Sequence, residues 1–168
     1  STVILPAPSG QLALTNLVVR RGKLRVDDQA NLTGALSVSS IGELTLKNPL
    51  AASTITISNS STLSPLTATA AAFFKLDLSA NTITVDATSR IDATGRGFLG
   101  GAQAGNPFGD NGMTVNFKRG STGSSGGSYG GLGGAANGSA NPVYGDFRDP
   151  IDPGSGGSTI FRAGGNGG

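Results

Sequence analysis

Three aspartates stand close together in Gly145-Asp146-Phe147-Arg148-Asp149-Pro150-Ile151-Asp152-Pro153-Gly154. Carboxylates at such spacing could supply hard oxygen ligands to Ca²⁺, which makes Asp146, Asp149 and Asp152 the calcium candidates of the chain. Their pattern matches neither the EF-hand loop nor the Gly-Gly-x-Gly-x-Asp repeat. The plainer reading is an Asp/Pro turn with Arg148 bridging carboxylates. The other acids worth weighing are Asp27, Asp28, Asp77, Asp86, Asp92 and Asp110. Glycoside hydrolysis needs two carboxyls about 5–10 Å apart across a sugar. Asp86 and Asp92, at strand-to-turn positions, are the pair that could approach; solvated turn aspartates are the commoner case.

Other chemistry is excluded by residue type. The chain has no cysteine and no histidine. Disulfides, thiolate metal sites, thiol nucleophiles, the Ser-His-Asp triad and imidazole-ligated zinc are therefore all absent. Gly95-Arg96-Gly97-Phe98-Leu99-Gly100 matches G-x-G-x-x-G in letters and follows a strand-like run. It opens no helix and no βαβ unit follows, so it is not a phosphate loop. No enzyme activity and no cofactor are expected, calcium being the one candidate ion.

Charge narrows the partners. Only 13% of the 168 residues are charged and the net charge is +2. The one basic cluster, Arg20, Arg21, Lys23 and Arg25, runs directly into Asp27 and Asp28. Duplex binding needs several clustered cations to release counterions, so no nucleic-acid partner is expected. No run of about 18 apolar residues exists, so no membrane span is expected. Tryptophan, a common sugar-stacking residue, is missing. Asn31-Leu32-Thr33, Asn59-Ser60-Ser61 and Asn137-Gly138-Ser139 would accept glycans only in a eukaryotic secretory pathway. The first residues lack the features of a signal peptide, and both ends read as internal to a longer chain.

Glycine divides the elements that must position these residues. Residues 1–94 hold four glycines and residues 95–168 hold the other 24 of 28. That is about a third of the second segment, against an ordinary ~7%. The expected organisation is a segment of β coils over 1–94, then a glycine-rich insert or cap over 95–168 that leads toward a further coil.

The first segment alternates Leu, Val, Ile and Thr with polar residues at period two, the pattern of strands with one buried face. Only Ala68–Phe74 reads as a short helical turn. The inward pairs Leu17/Val19, Leu36/Val38, Ile55/Ile57 and Leu76/Leu78 recur about every 20 residues. So do Leu24/Val26, Leu44/Leu46, Leu63/Pro65 and Ile83/Val85. Leu32 and Ile91 are placed to begin a third face. Self-similarity at this period predicts an all-β fold, a parallel β-helix with Leu36, Leu44, Ile55, Leu76 and Ile83 inside. An antiparallel sandwich also shows regular short strands. Its hairpins call for turns of the Asn-Gly kind, which are missing before residue 95.

The second segment has the composition of a flexible linker. Against that, Phe98, Phe108, Met113, Val115, Phe117, Tyr129, Leu132, Val143, Tyr144, Phe147, Ile151, Ile160 and Phe161 are spaced through it as anchors. The alternative is an ordered body of low secondary structure whose backbones pass close together, with three-residue polyglycine-II turns as one geometry. Met113–Phe117 and Ser158–Arg162 read as strand-like.

Thr84-Val85-Asp86-Ala87-Thr88-Ser89-Arg90-Ile91-Asp92-Ala93-Thr94-Gly95, the Gly-Gly runs, Tyr144-Gly145-Asp146, Pro153-Gly154-Ser155-Gly156-Gly157 and Gly164-Gly165-Asn166-Gly167-Gly168 resemble a pattern of very large extracellular proteins. In these, a β-helix coil is interrupted by a glycine-rich loop and then resumes. They are similar to pectin-lyase-like and filamentous-haemagglutinin-like β-helices. The resemblance implies a secreted or cell-surface structural or adhesive module, able to form fibres or filaments. Its implied partners are copies of itself or neighbouring coils of the parent chain, surface carbohydrate, or a cell-surface receptor. The alternatives are a carbohydrate-active β-helix of lyase or hydrolase type and a phage or injection-machine fibre segment.

Overall fold

The computed structural model describes residues 2–5 and 11–168. It is all-β, with one short 3₁₀ turn at Val115–Phe117. The strands are β1 Thr2–Leu5, β2 Gln11–Leu14, β3 Leu17–Arg20, β4 Lys23–Val26, β5 Gln29–Leu32, β6 Ala35–Ser39, β7 Glu43–Leu46, β8 Leu50–Ala51, β9 Thr54–Ile57, β10 Thr62–Pro65, β11 Leu78–Ser79, β12 Thr82–Val85, β13 Arg90–Ile91, β14 Met113–Thr114 and β15 Lys118–Arg119. Packing divides the chain into two compact units: Ser1–Leu66 with Lys75–Asp92, and Thr67–Phe74 with Ala93–Gly168. The glycine-based division kept 67–74 with the first segment; by packing it belongs with the second.

In the first unit the chain visits three parallel sheets in rotation. Their strand orders are β1-β4-β7-β10-β13, β2-β5-β8-β11 and β3-β6-β9-β12. Each strand pairs with the one three places on, so like residues stack on like. Leu24 pairs with Leu44 and Leu44 with Leu63. Leu17 pairs with Leu36 and Leu36 with Ile55. The alternating residues of each strand then fall into one core, where Val26, Leu36, Val38, Leu44, Ile55, Ile57 and Leu63 are fully buried. All these ladders are parallel, which excludes hairpins here. The antiparallel pair among the described residues is β14 with β15.

The last rung differs from expectation. Ile83 pairs with Ile55 and Val85 with Ile57, so this run extends the β3-β6-β9 ladder rather than the Leu24 series. Leu78 pairs with Leu50 in the β2-β5-β8-β11 sheet, and Leu76 is only partly buried. Ile91 pairs with Leu63, not with the Leu32 face. The cause is a change of period. Earlier cross-rung bonds span 19 to 21 residues, whereas Ser60 to Thr88 spans 28. The surplus matches the excursion Thr67–Phe74. That excursion is no helical turn: Thr69 and Ala72 close a tight turn and the rest is irregular.

Polar rungs run beside the apolar ones. Lys23 and Glu43, register partners in β4 and β7, form an ion pair at 2.7 Å. At one corner Asp86 accepts the Asn59 N–H at 2.7 Å and the Thr88 N–H at 2.9 Å. These donors, the Asn59 amide above all, hold its carboxyl well below the usual carboxylate range.

Candidate recognition loops on a glycine-rich body

The second unit has almost no regular strand, yet its backbone is densely bonded. Its organiser is Gly154–Ser158. Phe98 N–H donates to Gly154 O at 3.0 Å and Gly101 N–H to Gly157 O at 2.8 Å. Gly154 N–H donates to Gly168 O and Gly157 N–H to Gly165 O at 2.9 Å. Ser158 N–H donates to Ser125 O at 2.9 Å and Ser155 N–H to Ser128 O at 3.4 Å. Gly156 N–H donates to Met113 O at 2.9 Å. Residues three apart thus face the same neighbour, while their successors face the next one. This is the three-residue turn of a polyproline-II-type chain, bonded laterally because it has no internal hydrogen bonds. The strand-like expectation for Ser158–Arg162 is not met: Ser158 belongs to this bundle, and Ile160 and Phe161 are exposed.

The glycines are needed for proximity more than for unusual dihedrals. Within this segment only Gly95, Gly105, Gly109 and Gly123 have positive φ. A Cβ on Gly156 would stand 2.1 Å from Leu99 O, and one on Gly100 would stand 2.2 Å from Gly164 O. No side chain fits between backbones this close.

Apolar anchors hold the bundle. Phe98, Leu99 and Met113 are buried, with Phe73, Phe108, Val115, Phe117 and Tyr144 packed around them. Phe98 meets Phe117 edge-on at 5.6 Å and Phe73 at 5.9 Å. Met113–Phe117, expected as a strand, is instead β14 followed by the turn, because Asn116 and Phe117 both take positive φ.

Two loops, Tyr129–Leu132 and Pro142–Pro153, interlock on this base. Tyr144 N–H donates to Tyr129 O at 3.1 Å, and the two rings stand edge to face at 5.3 Å. Tyr144 OH donates to Pro153 O and accepts from Ser155 Oγ at 3.2 Å. Burial pushes this phenol above its ordinary pKa. Tyr129 OH accepts the Asp152 N–H at 3.3 Å. Gly130 lets Phe147 lie directly against the backbone, and Gly145 admits the Tyr129 ring. The locked loops leave Leu132, Val143, Phe147 and Ile151 exposed, Leu132 at 73% and Phe147 at 68%. Arg148 covers one face of the Phe147 ring at 4.8 Å.

The calcium candidates lie on the second loop. Asp146 accepts the Arg148 N–H at 2.8 Å, closing an Asx turn, and Asp152 is tied to Tyr129 through its backbone. Among the described residues no three His, Cys, Asp or Glu converge as a metal group, and Asp146, Asp149 and Asp152 do not form one. Asp86 and Asp92 are separately engaged, Asp86 at its corner and Asp92 with Arg90 at 3.2 Å. An open groove of about 440 Å³ on the first unit is lined by Leu32, Thr33, Ser53, Asn81 and small neighbours. Those side chains include no acid, base or activated nucleophile. Of the aromatics expected as anchors, Phe98, Phe108, Phe117 and Tyr144 pack together, whereas Phe147 and Phe161 are exposed; the loop pairing leaves one textual trace, the Gly beside each tyrosine: Tyr129-Gly130 and Tyr144-Gly145. No helix among the described residues is long and apolar enough to cross a membrane. No protein family, curated protein or solved structure matches the chain.

Proposed function

We propose that the chain is a non-catalytic, adhesive or structural module of a secreted or cell-surface repetitive protein. In this reading the first unit is a parallel β-helix, and the glycine-rich body presents its interlocked loops to a surface receptor or surface carbohydrate. The observation that carries the reading is the exposure of Leu132, Phe147 and Ile151 on loops that glycine contacts and tyrosine hydrogen bonds hold rigid. Exposed apolar groups on preorganised loops favour recognition, since little ordering entropy remains to be lost on binding. The absence of histidine and cysteine from the sequence also speaks for binding over catalysis.

Fibre formation, or continuation by further coils, belongs to the same reading. Ile83, Val85 and Ile91 occupy the positions of Ile55, Ile57 and Leu63 one rung later. The earlier three are fully buried, while Ile83 is 44% exposed. An added rung of the same register would cover them and pair the free strand edges.

The test is retention of labelled protein on intact cells and on immobilised polysaccharides, compared with a Phe147→Ser/Ile151→Ser variant of unchanged circular dichroism. Loss of retention in the variant supports the reading. Equal retention, or release of reducing ends or unsaturated uronides from the polysaccharides, overturns it.

A further inference from the structure

Three Asn-Gly pairs occur in the chain: Asn111-Gly112, Asn137-Gly138 and Asn166-Gly167. Each carries the same latent chemistry. The backbone nitrogen of the glycine can attack the asparagine Cγ, because no Cβ on the glycine hinders the approach. A Gly N–Asn Cγ bond forms, the Cγ–Nδ2 bond breaks, and ammonia leaves with the displaced amide proton. Water then opens the succinimide at either carbonyl, giving aspartate or isoaspartate. The step uses only solvent. It needs a free glycine nitrogen and a free asparagine side chain that can swing onto it.

Two of the pairs are held away from that geometry. Gly112 N–H donates to Ser121 O at 3.0 Å, while Asn111 Nδ2 donates to Phe108 O at 2.9 Å and its Oδ1 accepts from Arg119. Gly167 N–H donates to Phe98 O at 3.0 Å. Asn166 Oδ1 accepts the Gly100 N–H at 2.8 Å and its Nδ2 donates to Gly95 O. Gly112 and Gly167 are also buried. The third pair is different. Asn137 and Gly138 are both exposed. Among the described residues, neither the Asn137 side chain nor the Gly138 N–H has a hydrogen-bond partner. Two of the neighbouring donors are engaged elsewhere: Ser139 N–H with Thr122 Oγ1 at 3.1 Å and Ala136 N–H with Ser125 Oγ at 3.0 Å.

We infer that Asn137 is a self-modification site, the one Asn-Gly pair that deamidates in the folded protein. The consequence is local. Residues 133–139 form an outer segment, bonded to the bundle through Gly126 N–H to Gly134 O, Thr122 N–H to Ser139 O and the two serine and threonine oxygens above. Isoaspartate at 137 lengthens the main chain by one methylene between Gly134 and Ser139, and either product adds a negative charge. The register of this segment is then lost with age, while the Gly154–Ser158 organiser is untouched.

Site-resolved mass spectrometry after incubation in mildly alkaline buffer tests the inference, with the same protein in urea as the unfolded control. In urea all three asparagines are expected to convert. In the folded protein Asn137 is expected to convert at least about tenfold faster than Asn111 or Asn166, since each of these must first break several hydrogen bonds worth roughly 1 kcal/mol apiece. Comparable conversion of Asn111 or Asn166 in the folded protein overturns the assignment. So does protection of Asn137 relative to urea by as much as the other two.

Discussion

Ile83 stands in register on Ile55, although 28 residues separate the two where 19 separate Leu36 from Ile55 in the same ladder. The parallel ladder is therefore set by the stacking of like side chains and tolerates an excursion between rungs. Loop-closure entropy grows slowly with length, which is why such insertions are admitted.

Ladder stacking makes the central rung the most sensitive. Leu44 is fully buried between Leu24 and Leu63. Leu44→Asp is expected to destabilise by several kcal/mol, because a carboxylate there has no partner. Val18→Asp, at a position 58% exposed in β3, is expected to cost under about 1 kcal/mol. Chemical denaturation of both variants checks the assignment of faces, and equal midpoints would contradict it.

The excursion contributes an anchor to the second unit. Phe73 meets Phe98 and Phe117 at ring distances of 5.9 and 6.0 Å. Phe73→Ala is expected to open the glycine-rich unit, with limited proteolysis cutting first within residues 93–168 while the parallel ladders stay resistant. First cuts within residues 29–65 would contradict this.

Glycine should matter by position. Gly156→Ala places a Cβ 2.1 Å from Leu99 O, a backbone atom that cannot yield, and is expected to cost more than about 2 kcal/mol. Gly131→Ala meets nothing within 4 Å, and is expected to be neutral or stabilising by up to about 1 kcal/mol through the unfolded chain. Thermal melts of the two variants should diverge; equal melts would mean that the close backbone approaches are not what selects glycine.

Asp86 links stability to acid. Its folded pKa lies below the unfolded value of about 4. The contribution is thus fully present above pH about 4 and is lost as pH falls from there toward the folded pKa. Asp86→Asn is expected to flatten this part of the curve. Denaturation midpoints of wild type and variant across that window measure the effect, and parallel curves would contradict it.

Much of the first unit was legible in the sequence, because a ladder of identical faces repeats its side chains. Leu36, Leu44 and Ile55, which the period puts inside, are fully buried. The misplacement of Leu76 and Ile83 has a definite origin. Thr67–Phe74 displaces the last rung by nearly half a period, which brings the run near 78, in the β2-β5-β8-β11 sheet, to the spacing expected of another ladder. Periodicity alone cannot distinguish a ladder that continues from one that has slipped. The glycine-rich unit was less legible for a different reason. Its contacts are backbone to backbone, so its partners leave no side-chain pattern to read. The spaced aromatics pointed to order, but the pairing of Tyr129 with Tyr144 joins two loops that no local signal connects.

Amide hydrogen exchange over residues 95–168 of the isolated protein tests the central claim most directly, that the glycine-rich segment is an ordered body able to hold its loops rigid. The bonds described above predict slow exchange at Phe98, Gly101, Gly154, Gly156, Gly157, Ser158, Gly164 and Gly167, and fast exchange at Leu132, Gly138 and Phe147. Fast exchange throughout 95–168 would mean a tether, and the rigid-loop account of recognition would fall with it.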